Sequence, residues 1–236
     1  MKKSTKIGFA VVIALLILVV AILAYRATQH DTKTVSTETT TTSSTTQETK
    51  TTTAQTAATN CGLTKTVTEG PYYVSGTNEL TDGNLNYDSL AGTAITLTGH
   101  VYSGADGTNP VKNAKIEVWQ ADDSGSYHPN ANGAANNYSA DQLSLRGYVT
   151  TTDAGAYTIN TIYPGFYEGR ARHIHFKISA DGFQSVTTQL IFQPKSGDHQ
   201  TYSTDSIAQS LGECYLMNLS DATPQTGAFD FHLSAN

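Results

Sequence analysis

The chain has 236 residues, with 14 Lys and Arg against 20 Asp and Glu and only 14% charged residues. Residues 61–236 hold 8 of the basic and 17 of the acidic residues, a net charge of about −9, which argues against a nucleic-acid or anionic-lipid surface. Two cysteines and no CxxC spacing give no support for a cysteine-built metal site or thioredoxin chemistry.

Lys2, Lys3 and Lys6 precede an apolar run from Ile7 to Ala24. At ~18 residues it reaches the short end of a spanning helix. Positive charge before it orients the N-terminus inward and the rest outward. Residues 1–26 therefore read as a transmembrane anchor, with a cleaved signal segment as the rival reading. Either way the bulk of the chain is expected at the extracellular face of the membrane or secreted, touching the membrane through this helix only. Residues 27–60 are dominated by Thr, Ser, Gln and Ala, with nothing to bury, and read as a disordered linker. Cys61 opens the domain 61–236 and Cys214 lies near its end. In an exported chain two cysteines suggest one disulfide, with two buried free thiols as the alternative.

The domain reads as all-β. Ile95, Leu97, Gly99 and Val101 alternate with Thr96, Thr98, His100 and Tyr102, and Ile116 and Val118 alternate with Glu117 and Trp119. Gly147–Thr152 and Tyr157–Ile162 flank the turn Asp153-Ala154-Gly155 and are expected to form a hairpin. Ser185–Phe192 and Phe229–Leu233 complete the strands, and Asp205–Leu211 is a single short helical turn. Short strands between Gly/Asn/Asp clusters predict an antiparallel β-sandwich, transthyretin- or prealbumin-like. The strands alone resemble non-enzymatic surface modules of the transthyretin-like and carboxypeptidase-regulatory type.

His173-Ile174-His175-Phe176-Lys177-Ile178 has period two, so both imidazoles share one face while Ile174, Phe176 and Ile178 face the core. Two imidazoles side by side can grip a metal ion. About 27 residues separate Trp119 from Gly147, a connection long enough to suggest function. Tyr127 lies in it after Gly125, and Tyr167 lies in a later loop after Pro164-Gly165. Two loop tyrosines and two same-face histidines make a Tyr₂His₂ set.

At this point the chain resembles the intradiol ring-cleavage dioxygenases of the catechol, hydroxyquinol and protocatechuate types. The resemblance runs through Glu69-Gly70-Pro71-Tyr72-Tyr73, Trp119-Gln120-Ala121, Tyr127 and Leu145-Arg146-Gly147. It continues through Thr152-Asp153-Ala154-Gly155-Ala156-Tyr157, Pro164-Gly165-Phe166-Tyr167, Arg170, His173-Ile174-His175-Phe176 and Thr188-Gln189-Leu190. It implies Tyr127, Tyr167, His173 and His175 as ligands of one Fe³⁺, with Tyr167 also acting as a base and Arg170 stabilising charge on the substrate ring. Gly70, Pro71, Tyr72 and Gln189 would line the substrate, a catechol-type aromatic attacked by O₂ to give a cis,cis-muconate-type diacid. Phenolate and imidazole without thiolate suit a hard, oxidised ion, in keeping with ferric iron. The loop between Tyr167 and His173 is shorter than in the well-known cytoplasmic members, and a helical N-terminal dimerisation region is missing. Both features resemble the exported, single-domain branch. Trp119 reads as core, Arg172 as solvated and His128 as an ordinary loop residue.

Overall fold

The computed structural model describes residues 60–128, 143–167 and 169–236. The anchor or signal segment and nearly all of the Thr-rich linker lie outside them. Among the described residues no helix is long and apolar enough to cross a membrane.

Most of the regular structure is strand, arranged in two five-stranded sheets. The first is organised by β1 (Ala94–Ser103), whose ten residues serve four partners. It pairs antiparallel with β5 (Ala156–Ile162) and β2 (Asn109–Pro110), and parallel with β9 (Gln225–Ala228) and β10 (Phe231–Leu233). The second runs β4 (Arg146–Thr150), β3 (Lys115–Gln120), β6 (His173–Ser179), β7 (Val186–Phe192), β8 (Leu216–Met217). Its pairs are antiparallel except β7 with β8. Three pairings are therefore parallel, where the sequence suggested an antiparallel sandwich. The reason is the connections. A parallel partner needs a long crossover, and the path from β7 to β8 supplies one through helix α1 (Ser206–Leu211).

The expected hairpin does not form. Its turn is present, with Thr152 N–H donating to Ala156 O at 3.0 Å and Gly155 N–H to Thr152 O at 2.8 Å. Beyond the turn, β4 pairs with β3 and β5 pairs with β1 over seven residues, so the two strands enter different sheets. A local turn signal cannot say which edge each strand will find occupied.

The inner faces meet in one apolar core. Ile116, Val118, Ile174, Phe176, Ile178 and Leu190 of the second sheet pack with Leu97, Val101, Ile159 and Phe231 of the first. The Phe176 and Phe231 rings stand 5.3 Å apart. Truncating a residue such as Phe176 to Ala would cost about 3–5 kcal/mol.

A strap precedes β1. Cys61 and Cys214 are joined by a disulfide, with their Cα atoms 5.9 Å apart. Lys65 N–H donates to the Tyr215 hydroxyl at 2.6 Å, and its ammonium to Leu211 O at the C-terminal end of α1 at 2.7 Å. Val67 N–H then donates to Thr187 O on β7, and Lys177 on β6 pairs with Glu69 at 3.2 Å. This path lays Gly70 to Tyr73 on the outward side of the second sheet.

Candidate metal centre

Cross-strand register places four side chains in one row. Arg146 on β4 opposes Trp119 on β3, Trp119 opposes His175 on β6, and His175 opposes Gln189 on β7. Their inward neighbours Val118, Ile174, Phe176 and Leu190 fill the core, so the row points outward. All four are nonetheless buried. Trp119 stacks on the His175 ring, centroids 4.7 Å apart and planes 9° from parallel. Trp119 is thus a core residue and also a wall of the site.

His173 lies two residues away on the same face. Its Nδ1–H donates to Ala171 O at 2.6 Å, which leaves the Nε2 lone pair facing the site. Burial, reinforced by Arg170, lowers its pKa to about 4. His175 is also held well below the usual imidazole value, by burial first and then by His173 and Arg170. Both rings are therefore neutral at pH 7, the form that ligates metals.

The Tyr127 oxygen stands 3.2 Å from His173 Nε2 and 3.1 Å from His175 Nε2, and the two nitrogens are 3.0 Å apart. The centre of this triangle is about 1.8 Å from each vertex, close to the ~2.0 Å first-row metal–nitrogen length. The donor set fits one transition-metal ion. Burial raises the Tyr127 pKa while Arg170 and Arg146 pull it down, so a cation at this point would favour the phenolate. Among the described residues no three His, Cys, Asp or Glu converge on a point; the cluster is phenol and imidazole.

Two glycines let the tyrosine loops meet. A Cβ on Gly125 would stand 2.0 Å from Phe166 O, and one on Gly165 would stand 2.0 Å from Asp122 O. The loops therefore touch backbone to backbone, and no larger residue fits at either position. Asp122 shapes the first loop, accepting from the Ser124 and Ser126 amides at 2.9 Å and from His128 Nε2 at 2.8 Å. Burial alone would raise its pKa, but the Ser124, Ser126 and His128 contacts leave it lowered.

Tyr167 enters from the second loop. Its oxygen accepts from the Tyr72 hydroxyl at 2.8 Å, and its ring meets Tyr127 edge-on, centroids 5.8 Å apart. Tyr72 stacks flat on Tyr127 at 4.3 Å. Burial and then the Tyr167 hydrogen bond push the Tyr72 pKa up to about 12, so it remains a donor. Gly70 approaches the His175 ring, where a Cβ would lie 3.7 Å from Cε1. Pro71, between Gly70 and Tyr72, is exposed.

Arg170 donates to Asp205 at 2.8 Å and to Gln189 Oε1 at 2.7 Å. The Gln189 amide nitrogen then lies 3.4 Å from His175 Nδ1. Asp205 also accepts from the Ala171 amide and caps α1, and these contacts together with Arg170 keep its pKa low against the effect of burial.

The family model described as "Dioxygenase" matches residues 68–234. A catechol 1,2-dioxygenase from Acinetobacter baylyi is 32% identical over 171 residues, 63% of this chain and 51% of that protein. An intradiol ring-cleavage dioxygenase from Tetranychus urticae superposes with a TM-score of 0.63 at 26% identity, covering 74% of this chain and 95% of that one. The chain belongs to the intradiol ring-cleavage dioxygenase family. The dioxygenase domain of a carbohydrate-binding fusion from Streptomyces sp. SirexAA-E is also similar, with 31% identity, a TM-score of 0.59, and coverage of 74% and 99%. The chain spans about half the length of the curated relatives it matches.

Within this intradiol dioxygenase fold, one sequence reading needs correction. Arg172 is not solvated: it is buried, paired with Asp198 at 2.6 Å, and donates to Pro164 O at 2.9 Å. That pair braces the loop carrying Tyr167. His128 is fully buried and supports Asp122. Asp122, Asp205 and Arg146 were assigned no role from sequence. Asp205 carried a signal, a helix N-cap ahead of Ser206–Leu211. The partners of Arg146 include backbone carbonyls, which leave no trace in sequence.

Proposed function

We propose that this chain is a ferric intradiol dioxygenase. It opens a catechol-type ring between its two hydroxylated carbons and incorporates both atoms of O₂ to give a cis,cis-muconate-type diacid. One observation carries the reading: a buried phenol oxygen and two neutral imidazole nitrogens within 3.2 Å of one another, spaced to hold one ion. A non-enzymatic surface module would have no use for this arrangement. The three atoms can share only the protons they carry, and leaving the rest of their hydrogen-bonding capacity buried and unmet costs on the order of 1–3 kcal/mol unless something occupies their centre.

Tyr127, His173 and His175 would hold the iron, with Tyr167 as the fourth donor. Ferric iron there would draw electron density from a bound catecholate and open its ring to attack by O₂. The protein supplies the rest. Tyr167 is half-buried and its oxygen accepts from Tyr72, so as the phenolate that a cation here would favour it could take a catechol proton while Tyr72 keeps it in place. Tyr72, stacked on Tyr127, closes one side of the pocket and Trp119 closes another. Arg170 is aimed by Asp205 and Gln189, and its charge already reaches Tyr127, His173 and His175. It is the group that would stabilise negative charge building on the ring. The sum of catechol and O₂ equals the diacid, so no external reductant enters.

The apolar segment 7–24, the Thr-rich linker and the Cys61–Cys214 disulfide support a working place outside the cell. The test uses the full chain. Stoichiometric iron, a visible phenolate-to-iron absorption band, and catechol-dependent oxygen uptake with a muconate product are expected. A colourless protein that binds no iron after ferric reconstitution would sink the catalytic reading. Resistance of the domain to protease added outside intact cells would sink the location.

A further inference from the structure

Arg146 is among the largest fully buried side chains of the described residues, and the proposed ring cleavage makes no use of it. It begins β4 at the end of the row Arg146, Trp119, His175, Gln189. Its Nε–H donates to His128 O at 2.5 Å, and its Nη1–H donates to Tyr72 O. Those carbonyls belong to two different segments. His128 follows Tyr127 in the chain, and Tyr72 is the residue stacked on Tyr127. The guanidinium carbon lies 5.9 Å from the Tyr127 ring centroid. One side chain thus grips the loop that carries Tyr127 and the strap segment that covers it.

Resting on the proposed function, we infer that Arg146 is a positioning residue: its guanidinium clamps the Tyr72 strap to the Tyr127 loop and thereby sets where the Tyr127 oxygen stands against His173 and His175. The fork of arginine suits the task. Donors from two different nitrogens reach two carbonyls in fixed directions, which a lysine ammonium cannot reproduce on a flexible stem. Burial lowers the Arg146 pKa to about 10, with Tyr127 and Tyr87 opposing the shift, so the group remains charged at pH 7. A charge that deep is retained at a cost, and an apolar side chain would fill the space without it.

The test uses Arg146→Lys, which keeps the charge and loses the fork, and Arg146→Met, which loses both, in the full chain. Hydrogen exchange of the metal-free proteins is the first readout. Residues 68–74 and 122–128 should exchange faster together, while β1 and β5 remain as in the wild type. After ferric reconstitution, the visible band should shift, and affinity for iron or turnover should fall about 10–100-fold, the range for residues that orient metal ligands. Arg146→Lys should lie nearer Arg146→Met than the wild type.

Wild-type exchange in both segments would overturn the clamp, as would loosening of only one of them. Faster exchange in β1 and β5 as well would make Arg146 a support of the whole fold and overturn its local role. Wild-type protein that shows no band or oxygen uptake would sink the proposed function instead. The exchange comparison on metal-free protein would still judge the clamp.

Discussion

On β1, Thr96, Thr98, His100 and Tyr102 point outward and are half-buried, between the fully buried Ile95, Leu97 and Val101. On β6, His173 and His175 also point outward, yet they are as buried as Ile174 and Phe176 behind them. Both strands alternate with period two. They differ in what lies over them. The first sheet's outer face meets solvent, whereas one end of the second is covered by the strap, the Tyr127 loop and the Tyr167 loop. Polar groups held out of water must be partnered, and here the partners of His173 Nε2 and of His175 belong to the candidate centre. A strand buried on both faces where its sequence reads as one-faced marks the candidate centre.

The largest difference between the two faces is expected at Tyr127. Tyr127→Phe removes one vertex of the donor triangle and leaves the packing almost unchanged. We expect loss of the visible band and of tight iron binding, with turnover down by at least about 10³-fold, the scale on which a member of a catalytic unit acts. Metal analysis and oxygen uptake on the same sample check it. A variant that keeps its iron and activity would show that the buried outer face is only structural.

Arg170→Ala comes next. It should leave iron and colour in place and reduce turnover by roughly 10²–10³, as for removal of one preorganised electrostatic donor. Tyr167→Phe should differ, changing both the spectrum and turnover, because it removes a donor and a base together. Loss of iron in Arg170→Ala would show that the path through Gln189 to His175 supports the metal, and that stabilising the ring is not the residue's main task.

These residues also show where sequence suffices. The period of His173 to Ile178 was enough to place both imidazoles on one face and Ile174, Phe176 and Ile178 in the core, because i and i+2 geometry is local. The two tyrosines stood out by their places in loops, but only family resemblance joined them to the histidines, since their meeting depends on Gly125 and Gly165 letting two loops touch. The turn at Asp153-Ala154-Gly155 was legible, but the partners of its flanking strands were not, because pairing is settled by distant edges. Arg172 reads as solvated because a charged residue reads as exposed until its partner is known. Asp198 lies 26 residues from Arg172 in the chain.

Stability should separate the two faces more gently. Removing the disulfide with Cys61→Ser and Cys214→Ser frees the strap at its root. It should cost about 2–5 kcal/mol by thermal or denaturant unfolding, and turnover should fall too as Tyr72 loosens. Unchanged stability would mean that the hydrogen bonds of Lys65 and Val67 hold the strap without it.

The pH dependence of the metal-free protein follows from His173, whose folded pKa is about 4 against an ordinary 6.5. The unfolded state takes up the proton first, so stability is complete above pH 6.5 and declines as pH falls toward 4. The loss from this ring is on the order of 3 kcal/mol, and His175, also held low by burial, adds to it. Bound iron should abolish this slope until the pH is low enough to displace it. A flat metal-free profile between pH 6.5 and 4 would mean that the ring is not buried as described.

The smallest effect is expected on the first sheet, where the strand geometry is the same but the outer face meets solvent. Thr98 sits mid-strand on β1, opposite Thr158 on β5 and Ala228 on β9, with its side chain half-buried on the outer face. Its carbonyl, which accepts from Phe229 N–H at 3.0 Å, is untouched by substitution. Thr98→Ala therefore removes one cross-strand side-chain pair, worth at most about 1 kcal/mol. Turnover and the visible band should match the wild type. Gln189→Ala is the counterpart on the second sheet. It opens a buried position and leaves Arg170 without one of its two acceptors, so it should lower turnover well beyond its effect on stability. The pair of variants is measured side by side for melting temperature and for oxygen uptake with catechol. Equal losses of turnover would show that the outer faces of the two sheets contribute alike, and the contrast between them would carry no functional meaning.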